Sequence, residues 1–112
     1  MANTDSIVRL FKVKNNQNVT HLKAEIYYSL GGMNYFTYKN EARGYYMSIS
    51  PVKREDRGSC VMESYTAFTG LKQLVIPVSR KSQKKMNEAI EYFENHIKEF
   101  METHFGQFEV EE

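Results

Sequence analysis

Seven cations in two short runs are the residues of this chain best spaced for chemistry on an anion. Lys53, Arg54 and Arg57 form one run; Arg80, Lys81, Lys84 and Lys85 form the other. Together with Arg43 they suit an array of phosphates, because neutralising each phosphate releases condensed counterions. Aromatic rings lie close by in the sequence, with Tyr35, Phe36, Tyr38, Tyr45 and Tyr46 on either side of Arg43. A sheet that exposes rings beside cations stacks the bases of single-stranded nucleic acid. Tyr27, Tyr35, Tyr46 and Tyr65 are the candidate stacking rings, and the eight cations are the candidate anion-binding residues.

Other chemistries are poorly served. His96 and His104 lie eight residues apart on a predicted helix, about 12 Å along its axis, too far for one metal ion. No Cys-x-x-Cys or His-Glu-x-x-His spacing occurs. Cys60 is the lone cysteine, which rules out an intrachain disulfide and favours a reducing compartment. The glycine steps Gly31-Gly32 and Phe68-Thr69-Gly70 lack phosphate-loop spacing. These readings predict no enzyme, no cofactor and no metal. The first residues contain no apolar signal-type segment, and no apolar run approaches the roughly 20 residues of a membrane span. A cytoplasmic protein with no membrane contact is the expectation.

Charge is laid out unevenly. Residues 1–87 hold 14 Lys and Arg against 6 Asp and Glu, a net of +8; residues 88–112 hold one Lys against 8 Glu, a net of −7. Two meanings stay open: a basic binding surface beside an acidic helix, or two halves that attract each other in the fold. The acidic helix supports an alternative function, in which Glu91, Glu94 and Glu102 bind a protein partner.

The elements that would position these groups follow from periodicity. Residues 6–14 read as a strand and 15–18 as an Asn-rich turn. Residues 19–30 alternate cleanly, with Leu22, Ala24, Ile26, Tyr28 and Leu30 opposite His21, Lys23, Glu25, Tyr27 and Ser29. Residues 33–38 and 44–50 are expected to form a hairpin across a 39–43 connection, closed by Pro51. Residues 52–59 read as a charged loop and 60–68 as a further strand. Residues 69–79 fit a helix face or a strand; Pro77 and the β-branched content favour the strand. Met86, Ile90, Phe93, Ile97 and Met101 make one apolar stripe, which predicts a helix over about 81–104. Ser79 or Ser82 is suited to its N-cap and Gly106 to its end. Residues 107–112 are expected to be a loose acidic tail.

The sum is an α+β fold in a single domain, 1–112. A four- to five-stranded antiparallel sheet spans about 6–78, with one long C-terminal amphipathic helix packed on one face. Neighbouring tyrosines then split between the faces, Tyr27 from Tyr28 and Tyr45 from Tyr46.

Four stretches also carry a resemblance: Gly31 to Thr37, Arg43 to Val52, Phe68 to Gly70 and Arg80 to Lys84. Over residues 22–86 the chain resembles a small family of proteins carried by phages and mobile elements of gut bacteria, one with no assigned activity. The resemblance implies a prokaryotic, cytoplasmic accessory protein. Its expected partners are nucleic acid or a host nucleoprotein, or a host defence protein under the alternative reading.

Overall fold

A computed structural model describes residues 6–35, 38–66, 68 and 70–111. Among these the chain forms strands β1 (Ser6–Lys14), β2 (His21–Ser29), β3 (Gly32–Asn34), β4 (Lys39–Glu41), β5 (Gly44–Asp56), β6 (Val61–Tyr65) and β7 (Leu71–Pro77). Helix α1 (Gln83–Phe105) and strand β8 (Glu109–Val110) follow. The main sheet is antiparallel and six-stranded, ordered β6-β5-β2-β1-β8, with β7 also on β5; β3 and β4 make a separate two-stranded hairpin. It is thus α+β as expected, but with more strands than four or five.

β5 accounts for most of the difference. Its first half pairs with β7 (Gly44 to Ile49) and its second half with β6 (Val52 to Asp56), both along one edge. Pro51 does not end the strand. The carbonyl of Val52 faces β2, where it accepts from Thr20 N–H, so the backbone of Pro51 faces the opposite edge. There it falls in the gap between β7 and β6, where its missing N–H breaks no ladder bond. The Thr66 hydroxyl donates to the Pro51 carbonyl at that point. Residues 52–56, expected as a loop, are therefore strand, and Lys53 and Arg54 sit on it.

The expected hairpin is also rearranged. Gly44 pairs with Ser29, so β2 and β5 are direct neighbours. Residues 30–35 and 38–43 lie off the main sheet and carry β3 and β4. Gly31 makes the corner at φ +73°, and a Cβ there would lie 2.5 Å from the Glu41 carbonyl oxygen. Only glycine satisfies both conditions.

The helix lies on the face formed by Leu22, Ala24 and Ile26 of β2 with Tyr45, Met47 and Ile49 of β5, and all six are buried. From its own stripe Met86, Ala89, Phe93, Ile97 and Phe105 are buried, while Ile90 and Met101 flank it half-buried. Ser82 caps the N-terminus, accepting from Lys85 N–H through its hydroxyl. Replacing Ser82 by alanine is expected to lower stability by about 1 kcal/mol, measured by thermal denaturation, with the helix kept. No helix among the described residues is long and apolar enough to cross a membrane.

The C-terminus is not loose over the residues described. Gly106 keeps right-handed helical geometry (φ −63°, ψ −16°), and Phe108 N–H donates to the Phe105 carbonyl. Phe108 is buried, edge-on to the Phe68 ring at 5.2 Å, and β8 pairs with the end of β1. The apolar rings of Phe105 and Phe108 decide the path, and the glutamates follow on the outside.

Candidate nucleic-acid interface

The sheet face away from α1 carries Tyr27, Tyr46 and Tyr65 on one side, as alternation requires. Tyr27 and Tyr46 are directly opposite and stacked, with centroids 6.1 Å apart and planes 20° from parallel. The Lys72 ammonium lies 5.0 Å from the Tyr46 centroid, and the Tyr46 hydroxyl donates to the Ala42 carbonyl. Tyr46 is left only 5% exposed, so it supports Tyr27 and offers no free ring. Tyr65 is 69% exposed but pairs with Val52, six residues along β5 from Tyr46, about 20 Å away at strand rise.

The cations of this face are matched by acids. Lys23 bridges Glu63 at 2.7 Å and Glu25 at 3.5 Å, Arg54 pairs with Glu63, and Lys72 holds Glu41 at 2.9 Å. The hydrogen bond from Lys23 holds the Glu63 carboxyl below the usual glutamate value and lifts the Lys23 ammonium above its own. Burial, helped by the field of Arg54, pushes His21 down. A carboxyl depressed in the folded state stabilises above its unfolded pKa, about 4.3, and that contribution is lost as pH falls through the lower folded value. Glu63→Gln is expected to flatten the loss of stability between about pH 4.5 and pH 3, followed by denaturant midpoints.

The two cationic runs do not meet. The Tyr45 hydroxyl donates to the Ser82 carbonyl at 3.0 Å and accepts from Ser82 N–H at 2.9 Å, which ties the start of α1 to the start of β5. Arg54 lies nine residues further along the same strand, about 30 Å away. The composite patch expected from the sequence is therefore two separate regions. In the far one, Lys53 and Arg57 flank Glu55 at 3.3 and 3.2 Å, and Arg54 is held by Glu63.

The near region is more open. Arg43 donates through Nε to the Leu30 carbonyl at 3.1 Å and through Nη1 to the Ser79 carbonyl at 3.3 Å. It thereby joins the root of the β3–β4 hairpin to the approach of α1. Arg80, Lys81 and Lys84 are exposed there; Lys81 lies 5.9 Å from the Tyr28 ring and Lys85 bridges Glu88 at 3.1 Å. Among the described residues Arg80 and Lys84 form no ion pair.

The hairpin beside this corner exposes Tyr35 (78%) and Tyr38 (81%). Of the four rings singled out by sequence, Tyr35 alone belongs here. Tyr38 and Lys39 were missed; a Tyr-Lys-Asn step closing a run of rings is the turn signal that points to them. Phe36 and Thr37, expected within the strand over residues 33–38, lie outside the described residues.

The acidic alternative keeps a coherent geometry. Glu91 and Glu102 are eleven residues apart and share one line of the helix, with Glu94 about 60° to its side. Glu94 is engaged, accepting from Arg9 at 3.2 Å. Among the described residues no three of His, Cys, Asp and Glu are grouped to hold a metal ion. Comparison with protein-family models, curated proteins and solved structures finds no match to this chain.

Proposed function

We propose that the protein is a non-enzymatic binding module for single-stranded nucleic acid, in keeping with the accessory role that the resemblance implies. The strand would follow the cations of the helix start, Arg43, Arg80, Lys81 and Lys84, and stack its bases on Tyr35 and Tyr38. One observation carries this reading: Arg43 bonds both Leu30 and Ser79, which joins the root of the hairpin that bears the exposed rings to the approach of the helix whose start bears the cations.

Fluorescence anisotropy with a labelled single-stranded oligonucleotide tests it. Binding is expected at about 50 mM salt, with log K falling by about 0.7 per phosphate neutralised for each decade of salt. Tyr35→Ala and Tyr38→Ala are each expected to weaken binding by about 1–3 kcal/mol and to leave the salt slope unchanged. No binding near 50 mM salt would overturn the proposal.

The aligned Glu91 and Glu102 favour one second reading, a protein-binding adaptor or inhibitor acting through the outer face of α1. It requires no oligonucleotide binding. It also requires capture of a basic protein partner that is lost when Glu91, Glu94 and Glu102 become Lys.

A further inference from the structure

Strand β1 has an unfinished outer edge. Val13 N–H donates to the Thr20 carbonyl beside β2, while the Lys12 carbonyl accepts from Glu111 N–H beyond β8. These two bonds set the polarity of the strand: odd-numbered residues turn their backbone groups toward β2 and even-numbered residues turn theirs away. β8 occupies the outer edge only over Lys12 to Lys14. Ser6, Val8 and Leu10 therefore turn their N–H donors and C=O acceptors outward, and among the described residues no strand pairs with them. The side chains of the same three residues lie on the face away from α1, where Val8 and Leu10 are 44% and 43% exposed.

Proteins usually guard such an edge with a proline, a bulge or an inward charge, because it templates pairing with another chain. Between Ser6 and Leu10 there is no proline and no bulge, and the one charge, Arg9, is on the side of α1 and is held by Glu94 of its own chain. The other edges are shorter or less regular. β7 ends at Pro77 and lies across an irregular register from β5, and β6 is five residues long with Glu63 at its centre.

We propose that β1 pairs antiparallel with β1 of a second copy of this chain, joining the two sheets across a two-fold axis at Val8. The register follows from the window that is free. Among the described residues the free outward groups are those of Ser6, Val8 and Leu10, followed by Lys12, which is already bonded to Glu111, and their centre is Val8. Val8 then faces the second copy's Val8, Ser6 faces Leu10, and Ile7 faces Arg9. Val8 with Val8 and both Ser6–Leu10 pairs are hydrogen-bonded pairs, each exchanging two bonds, and together they satisfy every outward group in the window. The Val8 and Leu10 side chains of both copies form one apolar strip across the junction. Arg9 stays beside its own Glu94 and opposite an isoleucine. The neighbouring register, centred on Arg9, sets like charges opposite each other, which destabilises a sheet. It also sets Lys12 against Ser6 of the second copy, although the Lys12 carbonyl is in use. Pairing of the window with its own copy makes every outward bond and sets no like charges opposite each other, which is what favours a second copy.

Sedimentation of the full chain over a concentration series tests the proposal. A reversible monomer–dimer equilibrium is expected, with a Kd on the order of 100 μM or below, as befits a small interface. Val8→Pro removes an N–H that bonds nothing within the chain, so the melting temperature should hold while dimerisation weakens at least tenfold. Because that variant could disturb the strand itself, cysteine pairing gives a second readout. In a Cys60→Ser background, Val8→Cys should crosslink between copies under mild oxidation. Opposed Cα atoms in a hydrogen-bonded pair are about 5.5 Å apart, within disulfide range. Arg9→Cys in the same background should not. The proposal is overturned by a chain that stays monomeric at millimolar concentration, by a dimer that survives Val8→Pro, or by crosslinking at Arg9→Cys and not at Val8→Cys.

Discussion

Phe93→Ala is expected to lower folding stability by about 3–5 kcal/mol, the usual range for emptying a buried phenylalanine site. Phe93 is 2% exposed and lies midway along α1, within the core cluster that contains Ala24, Ile26, Met47 and Ile49. The loss combines the transfer free energy of the ring with the cavity left behind. A rigid strand floor on one side and helix backbone on the other leave little to collapse into it. Phe93→Leu keeps most of the volume and is expected to lose less than half as much. Urea denaturation of both variants at neutral pH gives the comparison. A loss below about 1 kcal/mol for the alanine variant would mean that this stripe of the helix is not packed on the sheet.

Reversing three cations at the helix start, Arg80→Glu, Lys81→Glu and Lys84→Glu together, is expected to reduce oligonucleotide binding at least 100-fold at about 50 mM salt. Each reversal removes a counterion-releasing contact and adds repulsion. Folding should not suffer. The positive end of the helix dipole disfavours the native cations there and favours carboxylates by a few tenths of a kcal/mol each. The same charge change at Lys53, about 25 Å away along β5, and at Arg57, just past the end of that strand, should alter binding only a few-fold. Equal loss from the two sets would show that binding follows overall charge and not the corner beside the hairpin. An unchanged affinity in the helix-start variant, with its fold intact by circular dichroism, would remove that corner from the interface altogether.

The amino-acid order by itself determined the elements whose signal is local. The period of two read over residues 19–30 is present over His21–Ser29, and the stripe read from Met86 to Met101 lies on α1 with Ile90 and Met101 half-buried, because alternation and helical spacing depend only on near neighbours. The cap was legible as a choice between Ser79 and Ser82, and Ser82 takes it by bonding a backbone N–H three residues on. The division of Tyr27 from Tyr28 and of Tyr45 from Tyr46 followed from pleat geometry alone.

Tertiary structure decided the rest, where the outcome depended on which strands became neighbours. Pro51 reads as a terminator, yet β5 runs through it because its bare edge falls between two partner strands. Phe108 reads as part of a loose tail, yet it is buried against a sheet edge that no local pattern reveals. The site divides along the same line. Residue types and runs announced rings and cations, but distance along the chain could not tell that a nine-residue strand segment holds Arg54 away from the helix start. Nor could it tell that Tyr46 lies under Tyr27 and Lys72 while Tyr35 stands clear. Exposure is a property of what packs opposite a side chain, and strand pairing, which is non-local, sets that opposition.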